Sequence, residues 1–162
     1  MLGIEESARL NAGTTPSSIC AWVAQLFRVT ETEVGLLKLN GRLLHFLYPA
    51  ELKTAGAIPL ASSSVAARTA RTQRAELFNH FATVDHFSVF ELVKLGGGGV
   101  DEQVIQKLMS APLLARDGKV VGVIQVSRKA PRLTAAGPDF SEDDLRKLEE
   151  VGRALGKLIT AR

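Results

Sequence analysis

Between Ser62 and Gly99 the chain gathers Arg68, Arg71, Phe78, Asn79, His80, Phe81, Asp85, His86, Phe87 and Phe90, an unusual concentration of aromatic rings and polar donors. Aromatic walls with a few convergent polar groups are what a small-molecule pocket requires. The plainer alternative is that the phenylalanines are core and the polar residues solvated, and at any single position the two readings balance. Arg68 and Arg71, three apart, share a helical face, and their guanidinium forks match phosphate or carboxylate. Anion binding inside a cavity is one use for them, and a solvated helix face the other. Gln125, in the run Val120–Val126, is counted with Arg68, Arg71, Phe78, Asn79, Phe81, Asp85, His86 and Phe90 as a candidate ligand-binding position.

Other chemistries find less support. His80, Asp85 and His86 are metal-ligating types, but their spacing puts no two on one face with a third partner, so a structural or pocket-lining role is favoured and no metal is expected. The run Gly96–Gly99 lacks the Gly-Lys-Ser/Thr of a phosphate loop, which leaves a flexible loop or a mobile lid. Cys20 stands beside an apolar helical stripe and reads as a buried small hydrophobe. Glu142, Asp143 and Asp144 fall in a helix's first turn, where the macrodipole accounts for them. Without a nucleophile, metal set or acid–base pair, the expectation is a non-catalytic protein.

The elements that must position these residues follow from periodicity. Thr15-Pro16-Ser17-Ser18 supplies cap and first-turn chemistry for a helix whose stripe is Ile19, Trp22, Val23, Leu26 and Phe27. Two apolar runs flank Asn40-Gly41, a hairpin signal because both residues tolerate the positive φ of a type I′ turn. A short extended piece around Ile58-Pro59 precedes a serine-capped, alanine-rich helix from Val65. Ala75 to Leu95 reads as irregular pieces with a helical turn or two, and Asp101 as the cap of a brief helix. A strand over Leu108–Leu114, a tight Asp117-Gly118 turn and the β-branched run Val120–Val126 form a second hairpin. Ser141 with Asp144 makes a capping box for the last helix, whose apolar face is Leu145, Leu148, Val151, Leu155, Leu158 and Ile159. This order describes an α+β domain with a mostly antiparallel sheet, its terminal helices on one face and the middle segment on the other.

Length and composition set bounds. At 162 residues and 46% hydrophobic content, one domain over residues 13–162 with a short extension over 1–12 is expected. A charge of +3, with no reading helix or stacking platform, gives no argument for nucleic acid. The single cysteine, the absence of a bilayer-length apolar run, and Glu5 and Glu6 near the start favour a cytoplasmic setting without a membrane.

Three pieces of the chain resemble a known family. Leu108–Leu114 with its Ala111-Pro112-Leu113, then Asp117-Gly118-Lys119-Val120-Val121-Gly122-Val123-Ile124, then Phe140-Ser141-Glu142-Asp143-Asp144-Leu145, are similar in order and spacing to the C-terminal half of GAF domains. The likeness runs from about Ser18 to Leu158. It implies the GAF (PAS-related) fold and a signalling role: a sensor holding an unidentified small molecule in a cavity under the Ser62–Gly99 segment and pairing through its terminal helices as a homodimer. The last helix carries more leucine than one sheet face would need, which fits that pairing. Gly122 matches the family's glycine where the sheet meets a helix. Phe81-Ala82-Thr83-Val84-Asp85 resembles part of a motif of cyclic-nucleotide-binding members, but His86 replaces its glutamate and no Asn-Lys pair lies upstream, so cyclic nucleotide is a weak expectation. The cofactor stays unknown, and the resemblance leaves open a chain excised from a larger signalling protein. The competing expectation is a scaffold of the same fold, its cavity filled by Phe78, Phe81, Phe87 and Phe90, serving dimerisation or partner docking.

Overall fold

The computed structural model describes residues 15–53, 56–81 and 104–160. Helix α1 (Pro16–Phe27) starts at Thr15, whose hydroxyl accepts from the Ser18 amide at 3.2 Å, and ends where Arg28 turns left-handed at φ 57°. A 3₁₀ turn at Glu31–Glu33 leads into β1 (Val34–Asn40) and β2 (Leu43–Tyr48). Then come β3 (Ile58–Pro59), α2 (Val65–Thr72) and β4 (Glu76–Phe78). The long hairpin β5 (Val104–Leu114) and β6 (Val120–Ala130) precedes α3 (Glu142–Thr160). All six strands join one antiparallel sheet in the order β3-β2-β1-β6-β5-β4.

The sheet separates two apolar layers, as strand alternation requires. On one face α1 and α3 bring Ile19, Val23, Leu148 and Leu155 against Leu36, Met109, Leu113 and Ile124. On the other, α2 brings Val65, Ala66 and Ala70, and the chain after β4 brings Phe81, against Leu37, Leu108 and Val123. The expected α+β architecture, with its terminal helices together on one face, is the one observed.

Four local expectations change. Asn40 pairs with Leu43 and stays in the ladder, so the hairpin turn is Gly41-Arg42, and Gly41 alone takes a positive φ, 65°. The segment expected to be irregular from Ala75 contains β4: Leu77 packs toward the α1/α3 face and Phe78 toward the α2 face, an alternation too short to show as a period. Strand β5 starts at Val104, four residues before the expected onset, with a bulge between Ile105 and Lys107 that breaks the alternation there. The leucine surplus of α3 disappears, because Leu145, Leu148, Leu155 and Leu158 are all buried within the single chain. The segment from Phe87 to Gly99 and Asp101 lie outside the described residues.

The last helix approaches the sheet through glycine. A Cβ on Gly152 would collide with the Pro112 carbonyl oxygen, and one on Gly156 with that of Leu114. Gly122 also makes a close approach, but its neighbours are the Leu37 carbonyl of β1 and the Leu113 side chain, not a helix. The expected capping box is present: Ser141 accepts from the Asp144 amide at 3.0 Å, and Asp144 accepts from that of Ser141 at 2.8 Å.

Candidate functional site

The α2 face carries a strip of polar side chains inside its apolar layer. Ser110 and Gln125 are directly opposed on β5 and β6, so both side chains rise from the same face of the sheet. Above them Thr69 projects from the inner side of α2, a helix set in place by Ser64, whose hydroxyl caps the Ala67 amide at 3.2 Å. Thr69 Oγ1 lies 2.7 Å from Ser110 Oγ, and Gln125 Nε2 donates to Ser110 Oγ at 3.2 Å. Thr69 and Ser110 are fully buried and Gln125 is 1% exposed. The amide oxygen of Gln125, Oε1, is buried and has no hydrogen-bond partner among the described residues. Buried polar atoms are almost always paired, so an orphan at the end of a hydrogen-bonded chain needs a reason.

The other expected site residues are distributed around this strip. Phe81, 2% exposed, joins the same layer, with Phe78 edge-on to it at 5.9 Å between ring centroids. Arg68, its side chain 49% exposed, turns outward to Glu76 on β4, with Nε 2.9 Å from the carboxylate. Arg71 is also exposed and donates to the carbonyls of Leu60 and Ser62, the latter at 2.7 Å, which ties down the turn ahead of α2. Asn79 serves as a backbone mimic: its amide donates to the Phe140 carbonyl at 3.0 Å and accepts from the Phe140 N–H at 2.8 Å. Asp85, His86 and Phe90 lie outside the described residues.

Asn79 is one of several pins on the loop that enters α3. The Arg128 guanidinium sits 4.7 Å over the Phe140 ring. Lys107, with a side chain only 6% exposed, reaches out to pair with Asp139, which is 63% exposed. That hydrogen bond, outweighing partial desolvation, holds the Asp139 carboxyl below its ordinary range. On the opposite layer Cys20 is fully buried, and desolvation pushes its thiol well up, away from the reactive thiolate. Among the described residues no group of three metal-ligating side chains forms, and no helix is long and apolar enough to cross a membrane.

A family model for the GAF domain matches residues 15–160, nearly the whole chain. The chain belongs to the GAF domain family. Solved GAF structures agree in fold. The GAF domain of an Acinetobacter phosphoenolpyruvate-protein phosphotransferase superimposes with a TM-score of 0.70 at 17% identity, covering 97% of this chain and 87% of that one. The corresponding Coxiella burnetii domain gives 0.69 at 8% identity, with the same coverages. A type II free methionine-R-sulfoxide reductase from Thermoplasma acidophilum gives 0.60 at 12% identity, covering 90% of this chain and 89% of that one. None of the curated proteins matches the chain significantly in sequence. At these identities the likenesses speak for the fold alone, and the site must be read from this GAF domain's own residues.

Thr69 and Ser110 were missed by sequence reasoning. The signal was a hydroxyl inside the strand run Leu108-Met109-Ser110-Ala111, facing a glutamine inside Val123-Ile124-Gln125-Val126. Two polar residues at matching depth in buried strands mark a polar contact once the register is known.

Proposed function

We propose that this GAF domain is a non-catalytic, cytoplasmic sensory or regulatory module that binds a small molecule on the α2 face of its sheet. The observation that carries the reading is the Thr69–Ser110–Gln125 strip, which ends in a Gln125 carbonyl without a partner among the described residues, within a largely apolar layer. An apolar layer with a few placed polar groups is the general make-up of a small-molecule site. The non-catalytic part rests on Cys20, the chain's one thiol, buried and un-ionised on the inner side of α1 at the other face.

A route from site to output is available. The chain leaving α2 and β4 is joined to the entrance of α3 by the paired hydrogen bonds of Asn79 with Phe140, so displacement near Phe81 would reach that helix. Output would then pass through α1 and α3 in a homodimer. With its leucines committed to the core, α3 has outward residues such as Asp143, Arg146, Arg153 and Lys157 for such pairing, which would make it polar and salt-sensitive. Sedimentation at rising salt tests this: a mass of two chains that falls toward one is expected, and one chain throughout would remove the dimer.

Native mass spectrometry of freshly purified protein tests binding. A stoichiometric adduct lost on denaturation is the expected result. The second reading, a ligand-free scaffold, is favoured by one observation: Phe81 has already collapsed into the layer with Phe78 against its edge. Protein that carries no adduct and gains no thermal stability from a metabolite panel would select it.

A further inference from the structure

The polar strip has a direction, and the direction restricts what can bind. The Val65 carbonyl can only accept, so the Thr69 hydroxyl, 2.9 Å away, donates to it. With that proton committed, the 2.7 Å contact between Thr69 and Ser110 must use the Ser110 proton. Ser110 then offers Gln125 only lone pairs, which places the NH₂ end of the amide against it at 3.2 Å. A flipped amide would set its carbonyl against a hydroxyl with no proton left. Oε1 of Gln125 is therefore an acceptor by necessity, and the aligned chain behind it strengthens its pull on a donor.

Its surroundings hold no uncompensated charge. The fully buried polar residues of this layer, Ser64, Thr69, Ser110 and Gln125, are uncharged; Glu76, opposite Ser110 in the register, has a buried carboxylate oxygen, but Arg68 pairs with that oxygen at 2.9 Å, and Arg71 is committed to the Ser62 carbonyl. The one carboxylate on this face among the described residues is already paired with Arg68, so an ammonium group would reach Oε1 without a free countercharge and at a large desolvation cost, whereas a neutral N–H or O–H would meet a matched partner. Resting on the ligand reading above, we propose that the molecule this domain takes is neutral and largely apolar, and that it presents one N–H or O–H donor to Oε1 of Gln125.

The test uses isosteric probes on the full chain: indole against benzofuran, and phenol against fluorobenzene, each pair differing in the donor and hardly in size. Titrations are followed by calorimetry and by the side-chain carbonyl ¹³C resonance of Gln125, assigned from its loss in Gln125→Met. Indole and phenol are expected to bind at least about tenfold more tightly than their partners and to shift that resonance, with the preference falling to within about twofold in Gln125→Met. Equal binding within each pair, the outcome if an internal water already serves Oε1, would overturn the donor proposal and leave the ligand reading standing. No binding of any probe at its solubility limit would overturn both. Should Gln125→Met fail to fold, its absence from the series leaves the wild-type comparison within each pair decisive.

Discussion

The two faces of this sheet are built from similar aliphatic side chains yet differ in finish. On the α1/α3 face an aliphatic and aromatic cluster packs together, Lys107 and Arg128 serve the loop that enters α3, and Gly152 and Gly156 let α3 settle onto the carbonyls of Pro112 and Leu114. On the α2 face the layer contains three linked polar side chains and one carbonyl oxygen left over. An acceptor without a donor inside a packed layer costs free energy. One face is held by close packing of helix on sheet, whereas the other carries a polar network within its layer.

The largest effect should come from breaking the structural face. Leu155→Ala removes a fully buried side chain and should cost about 2–5 kcal/mol in urea unfolding. Leu155 therefore cannot report on dimerisation, since a charged residue there would unfold the chain before it separated two chains. A cost below 1 kcal/mol would show that α3 is not sealed on the sheet. Gly156→Ala comes next. Helix propensity alone predicts a gain of about 0.5–1 kcal/mol, while the collision with the Leu114 carbonyl should cost about 1–3 kcal/mol or more. We expect the collision to win, and a stabilised variant would refute the close approach.

The α2 face should respond with a different sign pattern. Ser110→Ala strands the Gln125 NH₂ and should cost about 1–2 kcal/mol, whereas Gln125→Met removes the orphan with nearly the same volume and should be neutral or slightly stabilising. Adding Gln125→Met to Ser110→Ala should recover part of the loss, because the two side chains share one network. Strict additivity in that cycle would mean the strip is not coupled.

The smallest effect lies at the loop that joins the faces. The folded-state pKa of Asp139 is depressed by Lys107, so its contribution is present above the ordinary aspartate pKa, near 3.9, and is lost as pH falls through the lower folded value. Asp139→Asn should therefore lose only a little stability at neutral pH, because the carboxylate is largely exposed, and should flatten the acid limb of the stability–pH curve. An unchanged acid limb would show that the ion pair is not formed in solution.

Much of the fold was legible because its signals are local. Thr15 and Ser141 cap their helices through side chains three residues from their partners, and Asp117-Gly118 turns the β5–β6 hairpin through Gly118 at φ 84°. The site was legible only in part. Phe81 and Gln125 were named from residue type and prove to share a layer, but Arg68, Arg71 and Asn79 look identical in sequence whether they face a ligand or hold a neighbouring loop. Their commitments to Glu76, to the Leu60 and Ser62 carbonyls and to Phe140 depend on contacts that composition does not encode.

By itself, then, the sequence determined the helices with their caps, most of the strands and the family, because hydrophobic period, cap chemistry and turn residues act over a few neighbouring positions. The tertiary structure alone decided that Ser110 opposes Gln125, that Thr69 closes over them, and that the strip ends in an acceptor without a donor. Those facts depend on strand register and on the angle at which α2 crosses the sheet, both set by long-range packing that no local pattern specifies.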